Sequence, residues 1–196
     1  LMAQGVKAIT APANIAATGG WKEANYEVTN YGTIDFETSE KSTAIYAESA
    51  RVKNDGTIKL GKSSTGIYGV YRADTDSLTG VTNTVKVDTT ATSSISLGTN
   101  STGMYLVNAE NLTTAAGGTI QSSANATNNV GIYAINGKVD VPTTGTPAEI
   151  AEANAYNGNQ NNFKSLTMTN NSNITLGNGS VGIYTRGQDN SIPSAV

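Results

Sequence analysis

Asn54-Asp55-Gly56-Thr57-Ile58-Lys59-Leu60-Gly61 and, just after it, Ser64-Thr65-Gly66-Ile67-Tyr68 are the two phrases that decide the fold. The second ends in a small-aliphatic-tyrosine triplet that returns as Ala44-Ile45-Tyr46, Gly103-Met104-Tyr105, Gly131-Ile132-Tyr133 and Gly182-Ile183-Tyr184. Ser or Asn stands two positions ahead of each triplet, at Ser42, Ser64, Ser101, Asn129 and Ser180. Five of the nine tyrosines occupy this one place, which chance does not arrange.

The first phrase also repeats, centred on Ile34 (with Phe36), Ile58 (Leu60, Gly61), Ile95 (Leu97, Gly98), Ile120 (Ser122) and Ile174 (Leu176, Gly177). From each Ile to the following Tyr the spacing is 12, 10, 10, 13 and 10 residues. Six and eight residues before the Ile lies a third apolar pair: Tyr26 and Val28, Ala50 and Val52, Leu166 and Met168. Val87 and Leu112 are assigned to the more distant member of that pair. Each copy thus holds three short period-2 segments divided by Gly, Asn, Asp and Ser turns. Successive tyrosines are 22, 37, 28 and 51 residues apart, with the extra length falling almost entirely after the triplet. A constant part joined to a tolerant part is the signature of a solenoid with loop insertions.

Three strands in the shortest turn of 22 residues predict an all-β fold, a parallel β-helix of three strands per coil and about five to seven coils. The handedness preference of parallel crossovers makes it right-handed. Residues 1–25, with the only Trp at Trp21, are expected to be an N-terminal capping or partial-coil segment, and residues 26–196 the solenoid. A degenerate further coil is expected near Val139 and Val141. One coil cannot bury its aliphatics alone, so stacking at about 4.8 Å supplies both ladder and core. Alternation puts Ile and Tyr of each triplet on opposite faces. Burial tendencies favour Ile45, Ile67, Met104, Ile132 and Ile183 inside and the tyrosines outside, the reverse remaining open on sequence alone. Ala44 in place of Gly indicates a need for a small side chain rather than for a positive φ. Asp35, Lys59, Ser96, Gln121 and Thr175 should line an outer face, with Asp35 and Lys59 paired from coil to coil.

Composition agrees. Thr (28), Asn (22), Gly (21) and Ser (17) favour turns and short strands over helices. Charged residues are only 14%, and the net charge of -3 is too small to steer nucleic acid or an anionic membrane. The chain has no His and no Cys, which removes zinc sites, disulfides, Ser-His-Asp triads and Cys nucleophiles together. No apolar run approaches the roughly 20 residues of a membrane-spanning helix. Six Asn-x-Ser/Thr sequons are what this composition yields by chance. The start at Leu1 shows no signal peptide, and the chain reads as a piece of something longer.

These phrases resemble the passenger domains of type V autotransporters, in particular the large fusobacterial outer-membrane adhesins of the RadD type. Those repeat Asn-x-Gly-Thr-Ile-x-Leu-Gly followed by Ser-x-Gly-Ile-Tyr, as residues 54–61 and 64–68 do here. The likeness covers roughly residues 26 to 187 and is one of scaffold. It implies export, an extracellular passenger displayed at the outer membrane or released, and a right-handed β-helix. Contact with the membrane would run only through a barrel domain that this chain lacks. The resemblance carries over no binding residue.

Candidate sites lie on the excursions. The segment from Tyr71 to Asn83 holds Arg72, Asp74 and Asp76, whose spacing fails the EF-hand pattern at Leu78 and Thr79. In the longest insertion Thr146-Pro147-Ala148-Glu149 reads as N-cap, N1 proline and capping box, predicting a short helix near 147–157 ended by Gly158. Glu149, Glu152 and Tyr156 would be its contact residues, since binding tends to live on excursions from a rigid scaffold. The tyrosine row serves either as a platform for sugar faces or partner side chains, or as a stack that stiffens the solenoid. The sequence gives no catalytic, cofactor or metal residues. The expected function is a non-enzymatic, monomeric adhesin or stalk segment presenting loops to a protein or glycan on a host-cell or bacterial surface. The alternatives are a carbohydrate-active β-helix enzyme, lyase or glycosidase, and a phage tail-spike fragment. An enzyme of that kind needs paired carboxylates, and none stand at equivalent repeat positions.

Overall fold

The computed structural model describes residues 2–4, 27–73 and 84–187. The capping segment expected over 1–25 lies outside them except for a short strand, β1 (Met2–Gln4). Fifteen further strands follow in threes. The first coil is β2 (Glu27–Asn30), β3 (Thr33–Phe36) and β4 (Thr43–Glu48); the second is β5 (Arg51–Asn54), β6 (Thr57–Leu60) and β7 (Thr65–Val70). The third is β8 (Lys86–Thr89), β9 (Ser94–Leu97) and β10 (Thr102–Val107). The fourth is β11 (Asn111–Thr114), β12 (Thr119–Ser122) and β13 (Val130–Asn136), and the fifth β14 (Thr167–Asn170), β15 (Asn173–Thr175) and β16 (Val181–Gly187).

Like strands pair with like, all in parallel. The tyrosine sheet runs β1-β4-β7-β10-β13-β16, the valine sheet β2-β5-β8-β11-β14 and the leucine sheet β3-β6-β9-β12-β15. The molecule is a parallel β-helix of three strands per coil, with five complete coils and one extra tyrosine-sheet strand at its head.

Register puts identical positions over one another. Ile45, Ile67, Met104, Ile132 and Ile183 form one column, and Ile34, Ile58, Ile95, Ile120 and Ile174 another. The first column faces inward: Ile45, Ile67, Met104 and Ile132 are all 0% exposed. The tyrosines therefore face out. Asp35 and Lys59 meet across neighbouring coils at 3.3 Å, on the exposed side of the leucine sheet.

Two expectations need correction. Val87 and Leu112 pair with Val52, not with Ala50. The turn from the valine strand to the leucine strand is residues 55–56 in the second coil but 90–93 and 115–118 in the third and fourth, so counting back from the Ile overshoots by two. No strand forms around Val139 and Val141 either. Val139 packs on the outside of the tyrosine sheet, and the Asn157 side chain bonds both its N–H and its C=O.

What locks the stack is polar as well as apolar. The residue two before each triplet reaches back one coil: the N–H groups of Ser42, Ser64, Ser101 and Asn129 donate to the side-chain oxygens of Ser64, Ser101, Asn129 and Ser180 at 2.9–3.1 Å. The triplet glycine then lets the backbones close up. A Cβ on Gly66, Gly103 or Gly131 would stand 2.5 Å from the carbonyl oxygen of the next coil's glycine, and none of the three has a positive φ. Close approach, as Ala44 indicated, is the reason for the small residue. Buried Asn54 donates to Ser93 and accepts from Asn30, tying the opposite corner across three coils.

The fifth coil tests this account of the core. Ile132→Ala should cost about 2–5 kcal/mol, whereas Ile183→Ala, the same position on the open final coil, should cost below about 1 kcal/mol. Urea denaturation of the two variants measures both.

Candidate functional site

Alternation along the tyrosine strands leaves two rows facing outward. One is Tyr46-Tyr68-Tyr105-Tyr133-Tyr184; the other, two residues on, is Glu48-Val70-Val107-Ile135-Arg186. The second row is apolar in the middle, where an outer face is ordinarily polar. Something must cover it.

The second long excursion does so, with Arg72 from the start of the first at its margin. Both leave from the carboxyl ends of tyrosine strands, after β7 and after β13, and Arg72 at the start of the first meets the helix of the second on the outer face. In the second lies α1 (Pro147–Gly158), opened by the expected capping box, with Thr146 N–H donating to Glu149 Oε2 at 2.7 Å and Glu149 N–H to Thr146 Oγ1. Its one buried residue, Tyr156, packs on Val70 and Val107 with Val139 and Phe163 around it. The Tyr156 hydroxyl donates to the carbonyl of Tyr71 at 2.7 Å and accepts from Asn108 Nδ2 at 2.8 Å. Asn108 also accepts from Gly137 N–H and from Lys164 N–H, so one buried amide holds both ends of the second excursion. Ala73 N–H donates to Asn162 Oδ1, and Lys164 lies 4.7 Å from the Tyr71 ring centre.

Arg72 is the electrostatic pin. Its guanidinium bridges to Glu48 on β4 at 3.6 Å and to Glu152 on α1, and lies 5.4 Å from the Tyr156 ring centre. Nearby, Arg186 bridges to Asp140 at 2.9 Å. Between sheet and helix remains a cleft of about 260 Å³, lined by Tyr68, Tyr105, Val70, Val107, Val139 and Ala153, with Arg72, Asp140, Glu149, Glu152 and Tyr156 at its polar margin. Arg72 and Arg186 pair with Glu152 and Asp140, which leaves Glu149 as the one carboxylate of that margin without an arginine partner.

Of the residues singled out in the sequence, Arg72, Glu149, Glu152 and Tyr156 meet here although they come from two separate excursions. Glu149 and Glu152 are exposed, while Tyr156 at 4% exposure is an anchor rather than a contact residue. Asp74 and Asp76 lie outside the described residues. Sequence reasoning missed Glu48, Asp140 and Arg186. The consecutive apolar pairs Leu106-Val107 and Ala134-Ile135 were the available sign of a sheet buried on both faces.

The tyrosine row settles part of its own reading. Adjacent rings stack with centroids 4.9–5.4 Å apart and planes within 20°. Rings sandwiched in this way offer partners their edges and hydroxyls, and each pair contributes about 0.5–1.5 kcal/mol to the stack. Inner tyrosines cannot offer a face to a sugar; Tyr184, 41% exposed at the end of the row, can.

Among the described residues no three acidic side chains group to hold a metal ion, and no helix is long and apolar enough to cross a membrane. No protein-family model, curated protein or solved structure matches the chain.

Burial under the lid pushes the hydroxyls of Tyr46, Tyr105 and Tyr156 from the ordinary 10.0 up to about 12, the Glu48 carboxylate adding to the effect at Tyr46. Tyr68 shifts the same way. A folded pKa above the unfolded one means stability that is intact below pH 10 and is lost as pH rises through about 12. Phenolate absorbance should lag that of free tyrosine between those values, and the urea midpoint should fall over the same window. Tyr156→Phe should weaken lid docking by about 1–3 kcal/mol, read as faster amide exchange in α1 with the coils unchanged.

Proposed function

We propose that this chain is a non-enzymatic, surface-displayed β-helical segment that carries a binding lid. The observation supporting it is the meeting of Arg72, where the first excursion leaves the coil, with the helix of the second on one face of the tyrosine sheet. They form a cleft and an exposed acidic margin on an otherwise uniform scaffold. Repetition supplies a rigid rod, and the excursions supply a single irregular place on it. Recognition concentrates where loops depart from a rigid frame.

The chemistry of the cleft indicates the partner. Its floor gives tyrosine edges and valine methyls; its margin gives Asp140, Glu149 and Glu152. A protein surface bearing a long basic side chain fits better than a flat sugar ring, because an aliphatic stem can lie on the valines while its charged head reaches Glu149, the carboxylate without an arginine partner. Display on a bacterial surface, as the resemblance implies, would set this lid before host or bacterial cells.

Glu48 and Glu152 favour one rival reading, since the fold brings these two carboxylates to the same guanidinium. A β-helix glycosidase would use such a pair. Release of reducing sugar from a polysaccharide panel, abolished by Glu48→Gln, would establish that reading and overturn ours.

Labelled chain titrated onto intact host and bacterial cells should bind saturably. Glu152→Arg, on the exposed side of α1, should weaken that binding at least about tenfold while the urea midpoint of the coils stays in place. Absence of saturable binding would reduce the segment to a spacer.

A further inference from the structure

The chain contains no cysteine, so sulfur cannot tie one coil to the next. Its tyrosines stand where such a tie could form. Register sets Tyr68 against Tyr105, and Tyr105 against Tyr133, on consecutive coils. Their ring centroids are 5.2 and 4.9 Å apart, with planes 4° and 3° from parallel. Nearly parallel rings at one register position repeat atom for atom, so the carbons beside each hydroxyl have their counterparts at about the ring spacing. Carbons in contact stand about 3.5–4.0 Å apart. Centroids at 4.9 Å therefore mean rings displaced sideways, with an edge of each against its neighbour. Tyr105 and Tyr133 lie inside the stack, each with a ring on both sides.

Phenols held this way favour one reaction. Loss of an electron and a proton converts a tyrosine to a phenoxyl radical, whose spin rests on the oxygen and on the two ortho carbons. In solution two such radicals must first meet. Here each is already beside its neighbour, which is the advantage that positioning gives to any bimolecular step. Tyr105 and Tyr133 are half-buried on the outer face of the sheet, whereas Met104 and Met168 are buried in the core.

We propose that the tyrosine row is an oxidative cross-linking site, at which a one-electron oxidant of the peroxidase class joins Tyr105 to Tyr133. Each phenol gives up one electron and its hydroxyl proton. A carbon–carbon bond then forms between two ortho positions, and the hydrogen on each of those carbons moves to the oxygen and restores the ring. The two electrons and two protons released reduce one hydrogen peroxide to two waters. The product keeps both hydroxyls and staples the third coil to the fourth. Such a bond constrains the unfolded chain as a disulfide would, so the cross-linked chain resists urea better.

A ruthenium polypyridyl photo-oxidant with persulfate supplies the same one-electron step without requiring an enzyme to dock. After brief illumination of the dilute full chain, the purified monomer should show dityrosine fluorescence and a mass lower by two hydrogens. Its urea midpoint should rise. Cleavage after Glu110 places Tyr105 and Tyr133 on separate peptides, so recovery of the two joined together identifies the bond. Their yield should exceed that from the chain in denaturing urea at least about tenfold. Tyr133→Phe keeps the ring and removes the phenol: its urea midpoint before illumination should match that of the unaltered chain, and the joined peptides should disappear. Absence of those peptides from the unaltered monomer, or an equal yield in urea, would overturn the proposal. So would dityrosine confined to dimers, as the 74% exposed Tyr31 would give.

Discussion

Coil meets coil closely enough to share a core because one residue in each turn brings at most a methyl into the gap, and from the second coil onward no side chain at all. The triplet glycine lets its neighbour's carbonyl approach to where a Cβ would be, and the ladder pairing passes from the preceding Thr or Val to the following aliphatic without it. With the backbones that near, the Ser and Asn oxygens reach the N–H groups of the coil before. Burial of the aliphatic columns, the stacking of the tyrosines and the identity of every register follow from that spacing. A substitution here acts on the contact between coils rather than on one coil, as expected where stability is a sum of nearest-neighbour terms.

The same regularity makes the outside of the tyrosine sheet a constructed surface. Stacked rings turn their faces to one another, so the row is a stiff ridge of edges and hydroxyls. Next to it the apolar row through Val70 and Val107 gives the excursions something to bury. Tyr156 is the plug, and its hydroxyl, held between Asn108 and the Tyr71 carbonyl, links the helix to a corner of the coil itself. Arg72 then sets charge across the lid. An exposed ion pair of this kind contributes little to stability, and its consequence is orientation: Glu152 is held over the cleft while Glu48 balances it from the sheet.

Much of this was legible in the sequence, and what was not has physical reasons. Period-2 aliphatics at fixed distances from a glycine gave the coils, the inward Ile column and the Asp35–Lys59 pair, because these depend on local alternation and on repeat number alone. The capping box at Thr146 and Glu149 likewise reads locally. Val87 and Leu112 were misplaced because distance along the chain counts turn residues, and a four-residue turn at 90–93 or 115–118 leaves the strands in register while shifting the count. Val139 and Val141 resembled a strand because a single apolar pair does not distinguish burial inside a coil from burial against its outer face. Glu48 and Asp140 escaped since each acquires meaning only through an arginine far away in sequence. Contacts between excursions obey no repeat.

Where the excursions sit also follows from the constraint between coils. The corner from the valine strand to the leucine strand is tied across coils by Asn30, Asn54 and Ser93, and the corner before the triplet by the Ser and Asn ladder. Both vary by only two or three residues, 55–56 against 90–93 and 61–64 against 123–129. The corner after the tyrosine strand is turned in the first and third coils by a left-handed residue, Ser49 or Asn108, whose side chain bonds the next coil at Arg72 or Gly137. Among the described coils the chain makes its two long departures there, over 71–85 and 137–166. In parallel sheets the carboxyl ends of strands are where ligand-binding loops gather. This solenoid has the same arrangement, since its long insertions leave from the corner beside the tyrosine face while the other two corners lengthen by two or three residues.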